Sequence, residues 1–288
     1  MMDTNTQPVS VVITAYNRPD HLLESLNSVI NQSIEIFEII VVDDCSPTPL
    51  KKIIDEFPNS NIRYLKSEEN LGANHSRNVG INHANGEWIA FLDDDDVWLP
   101  NKIELQLLSL NSVQDAIGAT CSYKFLNDGR DRDSMPNGTV VELEKLKVTN
   151  SYCGTSGFIV KREVLLKTLF DEELPCGQDW DMLIRLCLIG KVLFDATPLF
   201  LYRIGSHEGI TTKAKRLKVE DVYPRLKSAY KHRKWMGEKA FKQRVSAQIL
   251  SFIFQKKNKI KWVLTSISIA GVNSTLIVLV NKIKNKIM

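Results

Sequence analysis

Four consecutive aspartates, Asp93 to Asp96, directly follow the apolar run 88–92. Neighbouring like charges repel one another, so such a cluster is stabilised when a cation lies among the carboxylates. An apolar run of this length is typical of a buried strand, and the aspartates would then emerge at its C-terminal edge. Oxygen ligands without nearby cysteine or clustered histidine favour Mg²⁺ or Mn²⁺. From these residues alone, the alternative is a solvated acidic turn that caps the helix beginning near Pro100.

Two further acidic positions also lie at the ends of predicted elements. Asp43-Asp44 ends an apolar strand, and Asp179 opens a predicted helix. The carboxyl ends of parallel strands meet at one edge of a sheet, so a ligand bound there would contact both aspartate clusters. Asp44 could accept a hydrogen bond from a nucleobase or ribose, Asp93 to Asp95 could hold a metal that bridges a diphosphate, and a third acid could act as a base. Asp43-Asp44 is also typical of a simple turn.

The first hundred residues alternate between strand and helix patterns. The pattern predicts strands at 9–13, 37–42, 62–65 and 88–92, and helices at 19–30, 50–57 and 72–84. This order predicts a mostly parallel sheet with right-handed crossovers, which is the Rossmann-like half of an α/β fold with helices on both faces. The dinucleotide fingerprint GxGxxG is missing. The small residues between 72 and 80 would allow either close approach of a ligand or tight packing of the helix on the sheet.

The following stretch, 97–212, is less regular. Helices are predicted at 102–110 and 179–188, strands at 116–123, 157–160, 192–194 and 199–203, and a mobile loop at 128–138. The composition changes near Lys213, where we place a boundary. The sequence therefore divides into a half at 1–96 and a half at 97–212 of one domain, followed by a basic helical tail at 213–288.

The tail differs from the rest of the chain in charge. Residues 213–288 hold 19 Lys and Arg against three acidic residues, whereas residues 1–212 hold 18 against 31. Basic tails attract nucleic acid or anionic membrane. Within the tail, 262–281 is a run of twenty uncharged residues flanked by lysines, long enough to span a bilayer. Its Ser, Thr and Asn residues favour an interfacial helix or a helical hairpin instead, and the alternative is an ordinary helix packed on the body.

The cysteines and the first residues indicate the cellular compartment. The five cysteines are odd in number and form no CxxC pair, which favours reduced thiols over a disulfide framework or a zinc site. The polar residues 1–8 carry no pattern of a secretory signal. Together with the basic tail, these features predict a cytoplasmic protein that is peripheral at the inner face of the membrane.

Four ordered motifs resemble those of the family 2 glycosyltransferases. They are VSVVITAYNR at 9–18, VVDDCS at 41–46, NLG with RNxG at 70–80, and GEWIAFLDDDD at 86–96. The resemblance covers about residues 8–110 densely and 150–212 sparsely. It implies a GT-A fold and transfer of a sugar from a nucleoside-diphosphate sugar to a hydroxyl of a glycan or lipid-linked acceptor, with inversion at the anomeric carbon. Assembly of a surface polysaccharide or lipid-linked glycan is the expected setting.

The resemblance also implies roles for the matching residues. Binding of the nucleotide sugar is expected from Thr14, Tyr16, Asn17, Asp44, Arg77, Asp93 and Asp94. Asp93 and Asp95 are the expected ligands of Mg²⁺ or Mn²⁺. Either Arg203 or His207, in the element that begins with Tyr202, is expected to contact the diphosphate or the metal. Asp179 matches the catalytic base, although Gln178 stands where the family usually has Glu. Arg77 is expected to pair with a phosphate or with Asp44.

The expected chemistry explains these residue types and separates the rival functions. A divalent cation offsets the charge that gathers on a departing nucleoside diphosphate, and a carboxylate accepts the proton of the attacking hydroxyl. A nucleotidyltransferase would need a basic, glycine-rich loop after the first strand, and 14–17 is not one. The other rival is a non-catalytic module that binds nucleic acid through the tail with salt-sensitive affinity. The resemblance favours the transferase, with no nucleic-acid partner.

Overall fold

The computed structural model describes residues 7–58, 61–127, 139–148, 150, 152, 154–204 and 214–287. The predicted loop at 128–138 and His207 lie outside the described residues. The chain forms two compact units. The first comprises Met1–Val141, Ser151–Glu172 and Met182–Ile204, and the second comprises Glu142–Asn150, Glu173–Asp181 and Gly205–Met288.

Among the described residues, the first unit is built on an eight-stranded sheet in the order β3-β2-β1-β4-β7-β6-β8-β5. The strands are β1 Val9–Ala15, β2 Glu38–Asp43, β3 Ile62–Lys66, β4 Trp88–Asp93, β5 Val97–Trp98, β6 Ala116–Phe125, β7 Ile159–Lys161 and β8 Lys191–Tyr202. The first four strands pair in parallel, which confirms the Rossmann-like half. β7 and β5 pair antiparallel with their neighbours, so the sheet as a whole is mixed.

The helices mostly follow the sequence pattern, although no helix was predicted at Arg162–Leu165. They are α1 Pro19–Ile30, α2 Lys51–Ile54, α3 Ala73–His83, α4 Lys102–Ser112, α5 Arg162–Leu165 and α6 Gln178–Ile189, the last of which begins in the second unit. The helix predicted at 50–57 is shorter and ends at Ile54. The two strands predicted at 192–194 and 199–203 are the single strand β8. Its pairing register with β6 shifts near Pro198, which lets the chain continue past a residue without an N–H.

The hydrophobic core of the first unit lies between the sheet and helices that include α1 and α4, and α3 packs on β1 and β2. Leu22, Leu26 and Val29 are buried on one face of α1 at the predicted helical spacing. On α3, a Cβ atom added to Gly80 would lie 2.3 Å from Val12 Cγ1, so only glycine allows this approach of helix and strand. At Gly80, tight packing is therefore the correct interpretation of the small residues in α3. The cysteines that the structure describes are free thiols, as expected: Cys45, Cys121, Cys176 and Cys187.

The second unit is helical. After a 3₁₀ helix at Val219–Leu226, its helices are α7 Lys227–Lys231, α8 Arg233–Ile249, α9 Lys259–Ala270 and α10 Val272–Ile287. The uncharged run at 262–281 is divided between α9 and α10 at Gly271, which has a φ of 82°. Across the described chain, none of the helices combines the length and hydropathy that a bilayer crossing requires.

We expect Gly80→Ala to lower the free energy of unfolding by about 1–3 kcal/mol, because the new methyl group overlaps the Val12 side chain. Val12→Ala removes the overlapping atoms, so the double variant should lose less stability than the two single variants together. Urea denaturation of the four proteins measures this coupling. Gly154→Ala is the matched control, since a Cβ there meets nothing within 4 Å. Additive effects of the two substitutions would contradict the packing described.

Candidate active site

The C-terminal ends of three parallel strands lie side by side in the first unit. Thr14 on β1 pairs with Asp93 on β4, and Ala15 pairs with Asp43 on β2. Backbone hydrogen bonds continue past the strand ends, from Asp44 N–H to the Ala15 carbonyl (2.9 Å) and from Asp94 N–H to the Thr14 carbonyl (3.2 Å). The two aspartate clusters therefore flank β1 at the same edge of the sheet.

Three aspartates form a candidate metal centre. One carboxylate oxygen from each of Asp93, Asp95 and Asp96 lies within 4.8 Å of the others. An octahedral Mg²⁺ ion holds its oxygen ligands roughly 3–4 Å apart, so a small contraction would fit this set to the ion. The donors are hard oxygens, which suits Mg²⁺ or Mn²⁺. The sequence prediction did not include Asp96 among the metal ligands. The strand ends at Asp93, so its alternating pattern does not indicate which of the following side chains lie on the same side.

Asp96 is the most enclosed member of the cluster. Its carboxylate accepts a hydrogen bond from Ser156 Oγ (2.6 Å) and another from the Arg203 backbone N–H (3.1 Å). Burial, together with the charges of Asp95 and Asp93, raises the pKa of Asp96 well above its ordinary value. The Arg203 side chain donates to the Asp95 carbonyl (2.9 Å), so β8 fixes the backbone of the cluster.

Two arginines supply the positive charge that the aspartate run requires. Arg18 Nη1 lies 2.9 Å from Asp94 Oδ1 and 2.6 Å from Asp95 Oδ2. Burial alone would lower the pKa of Arg18, but attraction to Asp94, Asp95 and Asp93 outweighs burial and raises it. Arg77 Nη2 lies 2.6 Å from Asp93 Oδ1 and its guanidinium is nearly buried. Arg77 is thus paired with Asp93 and not with Asp44, one of the two partners expected from the sequence.

Asp94 lies beneath the loop that follows β1. It is 2% exposed and accepts a hydrogen bond from the Tyr16 backbone N–H (3.0 Å). Burial raises the pKa of Asp94 to about 8, against the opposing effect of Arg18. Asp94 is therefore a buried anchor for the loop after β1, whereas the Tyr16 side chain in the same loop is exposed.

The loop between β1 and α1 carries the other expected donor residues. Thr14 Oγ1 donates to Asp93 Oδ1 (3.4 Å), at the border of the aspartate cluster. Asn17 has a φ of 54°, and its backbone N–H donates to Ser46 Oγ (2.8 Å). This contact joins the loop after β1 to the turn after β2. Thr14, Tyr16 and Asn17 thus border one edge of the aspartate cluster.

Asp44 anchors the start of α3. Its two carboxylate oxygens accept hydrogen bonds from the backbone N–H groups of Leu71 and Gly72, each at 2.9 Å. Gly72 has a φ of 89°, a conformation that favours glycine. Neighbouring Asp43 accepts a hydrogen bond from the Ser46 backbone N–H (2.8 Å), so the turn expected at this point is also present. Asp44 therefore positions the segment that leads to Arg77.

Asp179 belongs to the second unit, in the first turn of α6. Its Oδ2 accepts a hydrogen bond from Asn150 Nδ2 (2.9 Å). The next residue, Trp180, is fully buried, and the Arg244 guanidinium lies 4.1 Å from its ring centre. Burial lowers the pKa of Arg244 to about 10, and the negative charge of Asp179 partly opposes this effect. The sequence prediction missed Asn150 and Arg244, because each is far from Asp179 in the chain and neither lies in a recognisable motif.

Comparison with known proteins identifies relatives of the chain. The family profile described as Glycosyl transferase family 2 matches residues 10–169. An uncharacterized glycosyltransferase of Methanocaldococcus jannaschii is 33% identical over 243 residues, 78% of this chain and 80% of that protein. The amylovoran biosynthesis glycosyltransferase AmsB of Erwinia amylovora is 31% identical over 236 residues, 75% of this chain and 78% of that protein. The Escherichia coli UDP-Glc:alpha-D-GlcNAc-diphosphoundecaprenol beta-1,3-glucosyltransferase is 34% identical over 122 residues, 42% of this chain and 47% of that protein.

Solved structures show the same fold. The structure of S. aureus TarS 1–349 in complex with UDP-GlcNAc has a TM-score of 0.71 at 20% identity, covering 94% of this chain and 83% of that one. The mannosyltransferase PcManGT of Pyrobaculum calidifontis, in complex with GDP-Man and Mn²⁺, has a TM-score of 0.60 at 15% identity, covering 95% of this chain and 79% of that one. These similarities confirm the expected GT-A fold.

We expect Asp93→Asn to lower the free energy of unfolding by about 2 kcal/mol or more, because it leaves the buried Arg77 guanidinium without a charged partner. Adding Arg77→Met should cost less than the sum of the two single substitutions, with a coupling of about 1 kcal/mol or more by urea denaturation. The control is the exposed pair Lys51–Asp55, for which the corresponding cycle should show coupling of about 0–1 kcal/mol. Equal coupling in the two cycles would show that Arg77 does not stabilise the aspartate run.

Proposed function

The chain belongs to glycosyl transferase family 2, and we propose on this basis that it transfers a sugar from a nucleoside-diphosphate sugar to a hydroxyl of a glycan or lipid-linked acceptor. The observation that carries the proposal is the cluster of Asp93, Asp95 and Asp96 at the edge of the parallel strands. The structure of TarS with UDP-GlcNAc supports a UDP-sugar donor. The E. coli relative, whose name gives a diphosphoundecaprenol acceptor, supports a lipid-linked acceptor.

The donor is proposed to bind at the edge where β1, β2 and β4 end. Tyr16 is 40% exposed there and offers an aromatic face to the nucleobase. Thr14 and Asn17 border the same edge, and the anchor formed by Asp44 holds the start of α3 beside them. We propose that the half at 1–96 binds the donor and that the half at 97–212 binds the acceptor.

The aspartate cluster is proposed to hold Mg²⁺ or Mn²⁺, and the Mn²⁺ in the PcManGT complex supports this assignment. Asp93 and Asp95 are the expected ligands, Asp96 adds a third carboxylate, and His207 remains a proposed ligand. When bound, the cation offsets the negative charge that gathers on the departing diphosphate. Arg18 and Arg77 hold the carboxylates in place, which keeps the ligand set organised before the donor arrives.

Asp179 is proposed as the general base of an inverting reaction. Its carboxylate would accept the proton of the acceptor hydroxyl as that oxygen attacks the anomeric carbon. Asn150 orients the carboxylate through Oδ2, and the buried Trp180 fixes the first turn of α6 on which Asp179 stands. The reaction is placed at the cytoplasmic face of a membrane, where a lipid-linked acceptor would be presented.

We expect Asp95→Asn to reduce transfer at least about 100-fold, because it weakens binding of the cation that stabilises the leaving group. A thermal-shift screen of sugar nucleotides with Mn²⁺ identifies the donor, and that pair should stabilise the wild type but not the variant. Asp55→Asn, an exposed substitution in the same unit, is the control and should behave as the wild type. Full activity of Asp95→Asn at low Mn²⁺ would rule out the proposed metal centre.

We expect Asp179→Asn to reduce transfer by about 10²–10⁴-fold while donor affinity stays nearly unchanged, since a general base acts on the acceptor. Calorimetry with the donor found in the thermal-shift screen measures the affinity, and product formation measures transfer. Asp55→Asn again serves as the control. If donor affinity collapses together with activity, Asp179 is a donor-site residue and not the base.

A further inference from the structure

Small polar side chains contribute to the contact between helices α8, α9 and α10. Ser266 of α9 and Thr275 of α10 are fully buried, as is Ser246 of α8. Ser266 Oγ lies 2.9 Å from Ser246 Oγ and 2.9 Å from Thr275 Oγ1, so one chain of hydroxyl groups joins the three helices. Trp262, Ala270 and Val278 are buried as well, so the inward side of the two helices combines polar and apolar side chains.

Both helices also expose large apolar side chains at helical spacing. On α10 the exposed residues follow helical spacing along one face: Val272, Leu276, Val280 and Ile283, each between 47% and 54% exposed. On α9, Ile260 is 77% exposed and Leu264, one turn later, is 59% exposed. An apolar stripe that continues over three turns of a helix indicates a binding surface, whereas isolated exposed apolar residues do not.

Exposed lysines lie close to these stripes. Lys257 and Lys259 are at the start of α9, and Lys284 is near the end of α10. The whole region from 213 onward holds 19 basic residues against three acidic ones. The partner that fits therefore combines an apolar interior with an anionic boundary, and a lipid bilayer with acidic headgroups has both. A second copy of this chain fits less well, because its own region 213–288 has the same strong positive charge.

We propose that the outward faces of α9 and α10 dock this protein on an anionic membrane surface, with both helices lying along the interface. The helices have 12 and 16 residues, or lengths of about 18 and 24 Å. Each is shorter than the hydrocarbon core of a bilayer, which is about 30 Å thick. The helices thus have the length and the apolar stripe for lying in the plane of the membrane.

A groove of about 510 Å³ beside the stripe on α10 suits a lipid headgroup. Its lining combines one cation and three polar side chains with two apolar ones: Lys239, Gln243, Asn273, Ser274, Leu276 and Ile277. The ammonium of Lys239 can pair with a lipid phosphate while Leu276 and Ile277 contact the adjoining acyl chain. Because this surface carries none of the residues proposed for sugar transfer, docking can be tested without a substrate.

The test is sedimentation of the full chain with two kinds of vesicle, phosphatidylcholine alone and phosphatidylcholine mixed with phosphatidylglycerol. Wild type should pellet with the anionic vesicles at low salt and less at high salt. The double variant Leu276→Gln/Val280→Gln should bind at least about tenfold more weakly. Leu108→Gln/Leu188→Gln is the matched control, since these leucines are 54% and 53% exposed in the first unit, and it should pellet as the wild type.

Two further variants keep the result interpretable. Ile260→Gln/Leu264→Gln tests the stripe on α9 independently, and Lys257→Gln/Lys259→Gln/Lys284→Gln should remove the preference for anionic vesicles. Circular dichroism checks that each variant is folded, and donor hydrolysis in solution shows whether failure lies in docking or in the proposed transfer.

Wild type left in the supernatant with both vesicles would overturn the proposal. A third outcome is that the wild type does not bind vesicles but forms dimers, and that the Leu276→Gln/Val280→Gln variant does not form them. That result would assign the surface to a second copy of the chain.

Discussion

The pairing of clustered aspartates with Arg18 and Arg77 is the constraint on which the first unit depends. Four adjacent carboxylates at one strand end repel one another, and nearby positive charge lowers the free energy of keeping them together. Arg18 contacts Asp94 and Asp95 from the loop after β1, and Arg77 contacts Asp93 from α3. The same contacts that offset the negative charge of the cluster therefore also fix the loop after β1 and helix α3 around it. The proposed donor and metal sites are built on this charge balance.

Much of this unit can be predicted from the sequence, because its signals are local. Apolar runs followed by polar residues at 13–14, 42–43 and 92–93 mark the strand ends, and the parallel order brings them to one edge. Partners distant in the chain could not be predicted in this way. The hydrogen bonds that Asp44 accepts from Leu71 and Gly72 and the burial of Asp96 depend on tertiary packing. Asn150 and Arg244, which lie beside Asp179, are likewise without a sequence signal.

The tail illustrates a different limit of sequence analysis. Its charge and its uncharged run at 262–281 are visible in the sequence, and both suggested a membrane surface. Neither feature indicates which face of a helix is buried, because polar and apolar residues are mixed along the run. The structure shows which side chains are buried, among them Ser266 and Thr275, and which are exposed, among them Leu264 and Leu276. The break at Gly271 also shows why a single twenty-residue helix was not the correct interpretation.

The central claim is that the aspartate edge binds a divalent cation together with the donor. Anomalous diffraction at the manganese edge, from crystals soaked with Mn²⁺ and a sugar nucleotide, locates the ion directly. The account predicts a peak at coordination distance from oxygens of Asp93 and Asp95. A sugar nucleotide bound at this edge without any manganese peak, or a peak held by other residues, would contradict it.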